Sequence, residues 1–169
     1  MNLAIKKVHP DAVLPKYAKQ GDSGFDLVAV EDVIIEPGET KLVKTGLAFD
    51  IPEGYEIQVR PRSGITLKTK LRVQLGTVDS NYRGEVGVIV DNTEDDWFIR
   101  GTGYYKLING ESSKTRGGEE ISCDSYIILK GDRIAQAILA PVTTANFIEV
   151  QELSESIRGT NGYGSTGIN

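Results

Sequence analysis

The stretch GTVDSNYRGEVGVIV, residues 76–90, sets a carboxylate, Asp79, before a Ser80-Asn81 pair, with Tyr82 and Arg83 close behind. A polar bend of this kind between β-branched runs gathers an acid, a ring and backbone amides in one place. An acid at a turn commonly caps its own backbone; it can also take a proton from a bound water, and the bend alone leaves both readings open. Upstream, Arg62 and Ser63 stand at the start of SGITLKTK, residues 63–70, which reads as a short helix whose first N–H groups and dipole favour an anion. Serine there equally serves as the helix N-cap, with Arg62 a surface residue. Other routes to chemistry close. The chain has one histidine, His9, and no HExxH or paired CxxC, so neither a conventional zinc site nor a Ser-His-Asp triad can be built. His9 reads as a surface residue and the lone Cys123 as an incidental thiol. The run Gly162-Tyr163-Gly164-Ser165-Thr166-Gly167 matches the dinucleotide fingerprint only in letters, because that motif opens a helix after a strand and the sequence stops there. Carboxylates, arginines and backbone amides remain as the reactive groups.

Short strands must carry them. The runs LAIKKV, FDLVAVEDVIIEPGETKLVKTGLAFDIPEGYEIQVRP, LRVQLGTVDSNYRGEVGVIVDN and YIILKGDRIAQAILAPV are β-rich and broken by EPGE, IPEG and LKGD. That spacing, with 19 glycines against 6 prolines, predicts an all-β sandwich or barrel with one short helix. At 169 residues, 39% hydrophobic and 25% charged, the chain reads as one domain, 1–169. Residues 93–125 interrupt the pattern with mixed charge and four aromatics, Trp97, Phe98, Tyr104 and Tyr105, and read as an inserted lobe with a hairpin of its own. Residues 153–169 are too glycine-rich for a core strand and read as a flexible C-terminal arm. A net charge of −5 argues against non-specific nucleic-acid binding, so no direct nucleic-acid contact is expected, while a few arginines and N–H groups can still hold a small polyanion. No apolar run approaches the roughly 18 residues of a membrane span, and MNLAIKKVHP lacks the apolar core of a signal peptide. The expected setting is cytoplasmic, without a membrane.

Five segments in order, DSGFDLVA (22–29), PRSGI (61–65), GTVDSNYRGE (76–85), GDRIAQAIL (131–139) and RGTNGYGSTG (158–167), together resemble the trimeric dUTP pyrophosphatases. The resemblance implies a jelly-roll-like β subunit in a homotrimer with shared active sites, and hydrolysis of dUTP to dUMP and pyrophosphate with Mg²⁺. It implies that backbone groups near Gly76 and Gly87 read the uracil edge from a hairpin whose closeness excludes a thymine methyl. Tyr82 would lie against the deoxyribose, and Asp79 would be the base for the attacking water. Arg62, Ser63 and Gly64 would cradle phosphates. Gln136 would meet the α-phosphate or a metal-bound water, and Asp26 would reach magnesium through water. Read without the family, Gln136 suits a buried polar residue satisfied by backbone, and Asp26 a structural hydrogen bond or salt bridge. In the arm, Arg158 would meet the γ-phosphate, and Tyr163 would stack on uracil with Gly164, Ser165 and Thr166 around the substrate. Tyr163 stands where phenylalanine is usual, Asn161 where glycine is, and Phe25 where tyrosine is more frequent.

The stretch between Asn92 and Gly131 is longer than the family usually needs, and resembles the inserts of phage-encoded members, some of which bind a repressor protein. A repressor-like partner at 93–125 is therefore an expectation, with the host cytoplasm as the setting. Two rivals are a dCTP deaminase, which shares the fold, and a regulatory binding protein with a vestigial pocket. The deaminases carry a glutamate about ten residues after the aspartate, where this chain has Ile89; against a vestigial pocket, all five segments keep their reactive side chains.

Overall fold

The structure, a computed structural model, describes residues 1–95, 100–102, 104–114 and 120–161. The chain opens with β1 (Ala4–Lys7), β2 (Phe25–Val28), β3 (Val33–Ile35), β4 (Thr40–Lys44) and β5 (Leu47–Asp50). It continues through β6 (Tyr55–Pro61), helix α1 (Ser63–Lys68), β7 (Leu71–Val73), β8 (Gly76–Val78) and β9 (Gly87–Asn92). The remaining strands are β10 (Arg100–Thr102), β11 (Tyr104–Leu107), β12 (Ser112–Lys114), β13 (Glu120–Ser122), β14 (Tyr126–Ile128) and β15 (Arg133–Pro141). The larger sheets run β2-β15-β6-β8, β12-β11-β14-β3 and β4-β9-β7, and β1-β5 and β10-β13 form two-stranded pairs. This is the expected all-β, jelly-roll-like fold with one short helix. Among the described residues, no helix is long and apolar enough to cross a membrane.

A period of two decides which side chains enter the core. On β2, Phe25 and Leu27 point in and Asp26 out; on β6, Ile57 and Val59 point in and Gln58 and Arg60 out. These join Val88 and Val90 of β9, Ile128 of β14 and Ile65 of α1 in one apolar cluster. The helix is shorter than the 63–70 its sequence suggests. Thr69 is already extended, its hydroxyl donates to Ile65 O at 2.7 Å and accepts from Leu71 N at 3.1 Å, and so it starts the path into β7.

On β15 a bulge between Arg133 and Ala135 breaks the alternation, so Ile134 and Ala135 are both buried. Three residues apart on a regular strand, Arg133 and Gln136 would face opposite sides. The extra residue puts both on the outer face.

The segment expected to be a surface lobe, 93–125, does contain a hairpin, β11 with β12, but that hairpin is built into the main body. β11 pairs in parallel with β14, and through it with β3. Tyr105 is buried, and Lys106 Nζ meets Glu94 Oε1 at 2.8 Å and Asp124 Oδ1 at 2.6 Å, 5.5 Å from the Tyr126 ring centroid. Burial works against the Lys106 charge, but the two carboxylates outweigh it and hold the ammonium above its ordinary range. Asn92, buried, donates to Ile35 O and Asp124 O at 3.0 Å each, tying the ends of the segment together. Trp97 and Phe98 lie outside the described residues.

Gly46 joins three parts of the molecule. Its carbonyl accepts from Val8 N at 2.8 Å and its N–H donates to Glu85 Oε1 at 2.7 Å. At φ +67 a Cβ there would stand 2.7 Å from His9 Cβ and 2.8 Å from Ala12 Cβ, atoms that cannot swing aside. Gly46→Ala is expected to cost about 2–5 kcal/mol from left-handed strain and overpacking together, read as a lowered midpoint in denaturant. A midpoint unchanged from wild type would contradict this packing.

Candidate functional site

The outer face of the β2-β15-β6 sheet carries a charged row. Gln136 stands opposite Asp26 on one side and Arg60 on the other. Asp26 holds two arginines: Arg62 Nε lies 3.0 Å from Oδ1 and Arg133 Nη1 3.3 Å from Oδ2. The Arg62 contact is an ion pair without hydrogen-bond alignment, and the buried Oδ1 accepts no hydrogen bond among the described residues. Arg62 also donates from Nη1 to Arg133 O at 2.9 Å, which fixes its guanidinium across the strand end. The structural reading of Asp26 as a salt-bridge residue therefore holds. Gln136 is exposed, contrary to its reading as a buried polar residue, because the bulge turns it outward.

Helix α1 begins beside this row. Arg62 is its N-cap, at φ −90 and ψ 127, and among the described residues no side-chain hydrogen bond caps the helix. Ser63 is the first helical residue and is exposed, which corrects its reading as the cap. A Cβ on Gly64 would meet nothing within 4 Å, so the first turn is open on that side. Arg62, Ser63, Gly64, Lys68 and Gln136 line a recess of about 270 Å³, together with Ile108 and Asn109 from the β11–β12 turn. A second recess of about 540 Å³ shares Arg62, Ile108 and Asn109 and adds Asp132 and Arg133. Burial pushes the Asp132 carboxyl up, opposed by the Leu129 N–H it accepts, with Asp32 adding like charge.

The segment around Asp79 is not a paired hairpin. β8 pairs with β6, and β9 with β4 and β7, so Gly76 and Gly87 belong to different sheets. Residues 79–86 cross between the sheets, held by single hydrogen bonds and ion pairs instead of a ladder. Tyr82 N donates to Asp79 O at 3.1 Å, Arg83 pairs with Asp50, and Glu85 reaches Gly46. The Tyr82 ring is half-exposed, donates from Oη to Glu85 O at 3.0 Å, and passes so close to Gly84 that a Cβ there would lie 2.3 Å from Oη. A Cβ on Gly76 would stand 3.3 Å from Val59 Cβ, and one on Gly87 2.6 Å from Leu42 Cδ1. Asp79, exposed, lines a separate recess of about 330 Å³ with Tyr55, Glu56, Ser80 and Asn81.

Within one chain these two groups stay apart. Val78 pairs with Ile57, which sets Asp79 level with Glu56, six residues back along β6 from Arg62. At about 3.3 Å per residue that is on the order of 20 Å. Arg158 is exposed, its Nε donating to Asn161 O at 2.8 Å. Tyr163, Gly164, Ser165 and Thr166 lie outside the described residues. Lys68, Ile108 and Asn109 carry no motif that singles them out, and Arg133 was visible only as a letter within GDRIAQAIL.

The class defined so far is a jelly-roll-like β fold whose outer charged row stands beside the start of a short helix. The family model for dUTPase matches residues 11–104 and 120–167, and the chain belongs to the dUTPase family. It is 43% identical to the deoxyuridine 5′-triphosphate nucleotidohydrolase of Nautilia profundicola over 99% of both chains. It is 42% identical to that of Helicobacter hepaticus over 99% of this chain and 90% of the other. Among solved structures it resembles the Staphylococcus bacteriophage 80alpha dUTPase with dUpNHpp, with a TM-score of 0.94 and 33% identity over 99% of both chains. It also resembles a dUTPase from phage phi11 of S. aureus described with a structural Mg(II) ion, with a TM-score of 0.86 and 30% identity over 90% of this chain and 98% of that one. The stretch the family model passes over, 105–119, takes in most of β11 and all of β12.

Proposed function

We propose that the protein hydrolyses dUTP to dUMP and pyrophosphate by attack of a water on the α-phosphate. The observation that carries this reading is the meeting of Arg62, Ser63 and Gln136 around one recess, with Asp26 paired to Arg62 behind it, in a chain of the dUTPase family. Arg62, Ser63 and Gly64 would hold the phosphates, with Arg62 kept in place by Asp26 and the Arg133 carbonyl. Gln136 would orient a phosphate oxygen or a water. Asp79 would accept the proton of the attacking water as its oxygen bonds to phosphorus and the bond to the leaving pyrophosphate breaks. Tyr82 would press on the deoxyribose and exclude a 2′-hydroxyl. Backbone groups near Gly76 and Gly87 would read the uracil edge across the gap between the two sheets. Arg158, with Tyr163, Gly164, Ser165 and Thr166, would close over the bound nucleotide. Ile89, outward on β9, offers no acid for deamination.

Asp26 and Gln136 fit a magnesium site reached through water, since Asp26 Oδ1 accepts no hydrogen bond among the described residues and the Gln136 amide stands opposite it. Bound Mg²⁺ supplies neutralisation of phosphate charge.

The reading includes a homotrimer with shared sites. Two facts support it: the separation of Asp79 from Arg62 along β6, and the apolar residues of the segment after β15. Phe147 is 96% and Leu153 88% exposed, which suits a surface covered by another copy. Co-refolding Asp79→Asn with Arg62→Ala tests this. If the two residues meet only across subunits, random mixing restores about a quarter of wild-type activity from two inactive parents. Activity no higher than either parent would refute sharing.

A second role, binding a repressor-like protein through 93–125, is favoured by the exposed Tyr104 on β11. The 80alpha phage dUTPase is described as controlling transfer of virulence genes by a G protein-like mechanism.

A further inference from the structure

The recess beside α1 is lined by a lysine that, among the described residues, no carboxylate pairs with. Arg62 and Arg133 both face Asp26, so two guanidinium charges share one carboxylate. Lys68 lines the same recess, and among the described residues it makes no ion pair and no side-chain hydrogen bond. The first turn of α1 holds no acid. Lys68 lies four residues beyond Gly64, so both sit on one face of the helix, one turn apart. A polyphosphate entering from the open first turn would therefore meet Ser63 and Gly64 first and the Lys68 ammonium one turn further along.

The β11–β12 tip backs this lysine. Gly110 adopts φ +86, and a Cβ there would stand 3.2 Å from Lys68 O and 3.5 Å from Lys68 Cβ. Backbone thus lies directly against the end of α1. Ile108 and Asn109, from the same tip, line the recess beside Lys68. The Lys106 pairs with Glu94 and Asp124 anchor the tip to the body. All three tip residues fall in 105–119, the stretch the family model passes over.

We propose that Lys68 is a substrate-binding residue for the polyphosphate chain of the nucleotide, its place at the recess buttressed by the β11–β12 tip. The proposal rests on the dUTP-hydrolysing reading for the identity of that nucleotide. A lone ammonium at a partly enclosed recess attracts a polyanion at short range and is weakened by salt.

Lys68→Glu and Lys68→Arg test it, with steady-state hydrolysis of dUTP at several salt concentrations and calorimetric titration of inorganic tripolyphosphate into the same proteins. Lys68→Glu is expected to raise KM about tenfold, with kcat within about threefold and a flatter dependence of KM on salt. Lys68→Arg keeps the charge and is expected to stay within about twofold of wild type. Tripolyphosphate should bind Lys68→Glu about tenfold more weakly. A KM and a tripolyphosphate affinity both unchanged in Lys68→Glu would overturn the proposal, as would a loss confined to kcat. If the wild type failed to hydrolyse dUTP, the catalytic reading would fall, and the tripolyphosphate titration would still decide whether Lys68 binds phosphate.

Discussion

Replacing Asp79 by Asn is expected to lower turnover of dUTP by roughly 10² to 10⁴ while leaving nucleotide binding largely intact. The amide keeps the shape of the carboxylate but cannot take the proton of the attacking water. The fold should not notice the change. Among the described residues the Asp79 carboxylate makes no ion pair or hydrogen bond, and the turn is held by its main-chain oxygen, which accepts from Tyr82 N at 3.1 Å. Arg83 with Asp50 and Glu85 with Gly46 keep the loop in place independently of that side chain. The measurement is kcat beside a direct titration with dUpNHpp. Turnover at the wild-type rate would remove Asp79 from the role of base, whereas loss of binding together with rate would make it a ligand contact.

Ending the chain at Ile157 is expected to reduce turnover by about 10² to 10³, the range seen when a preorganised donor to developing charge is removed. The cut takes away Arg158, whose guanidinium is held in a turn by the Asn161 carbonyl, together with the glycine-rich run that would bring Tyr163 to the base. It keeps Phe147, Ile148, Leu153 and Ile157, the exposed apolar residues suited to contact with another copy. Subunit mass and thermal midpoint should therefore match the full chain, which separates a closing arm from a structural strut. Unchanged turnover would refute the closing role. A loss of assembly would show that residues beyond Ile157 hold the copies together.

Much of this molecule is legible before any coordinates. Alternation in FDLV and YEIQVRP puts Phe25, Leu27, Ile57 and Val59 inside, because a two-residue period admits only one apolar face. The short helix starting at Ser63 is readable from local signals, although its end is not: the hydroxyl of Thr69 bonds to Ile65 O and to Leu71 N, the second of which belongs to β7. The place of the segment 93–125 is not legible in the sequence, because mixed charge and scattered aromatics look the same on a free loop and on a strand added to a sheet. Only the parallel pairing with β14, nineteen or more residues away along the chain, shows which it is.

What the sequence by itself determined was the class of fold, the helix beside Arg62 and the set of reactive side chains, since periodicity, turn chemistry and motif order are local properties of the chain. The tertiary structure decided which of those side chains share a face and which stand apart. The bulge on β15 turned Gln136 to the side of Asp26 and Arg133, and pairing of β8 with β6, not β9, carried Asp79 away from Arg62. Both outcomes depend on hydrogen-bond register between strands distant in sequence, where a shift of one residue reverses every side chain and leaves the local pattern of letters unchanged.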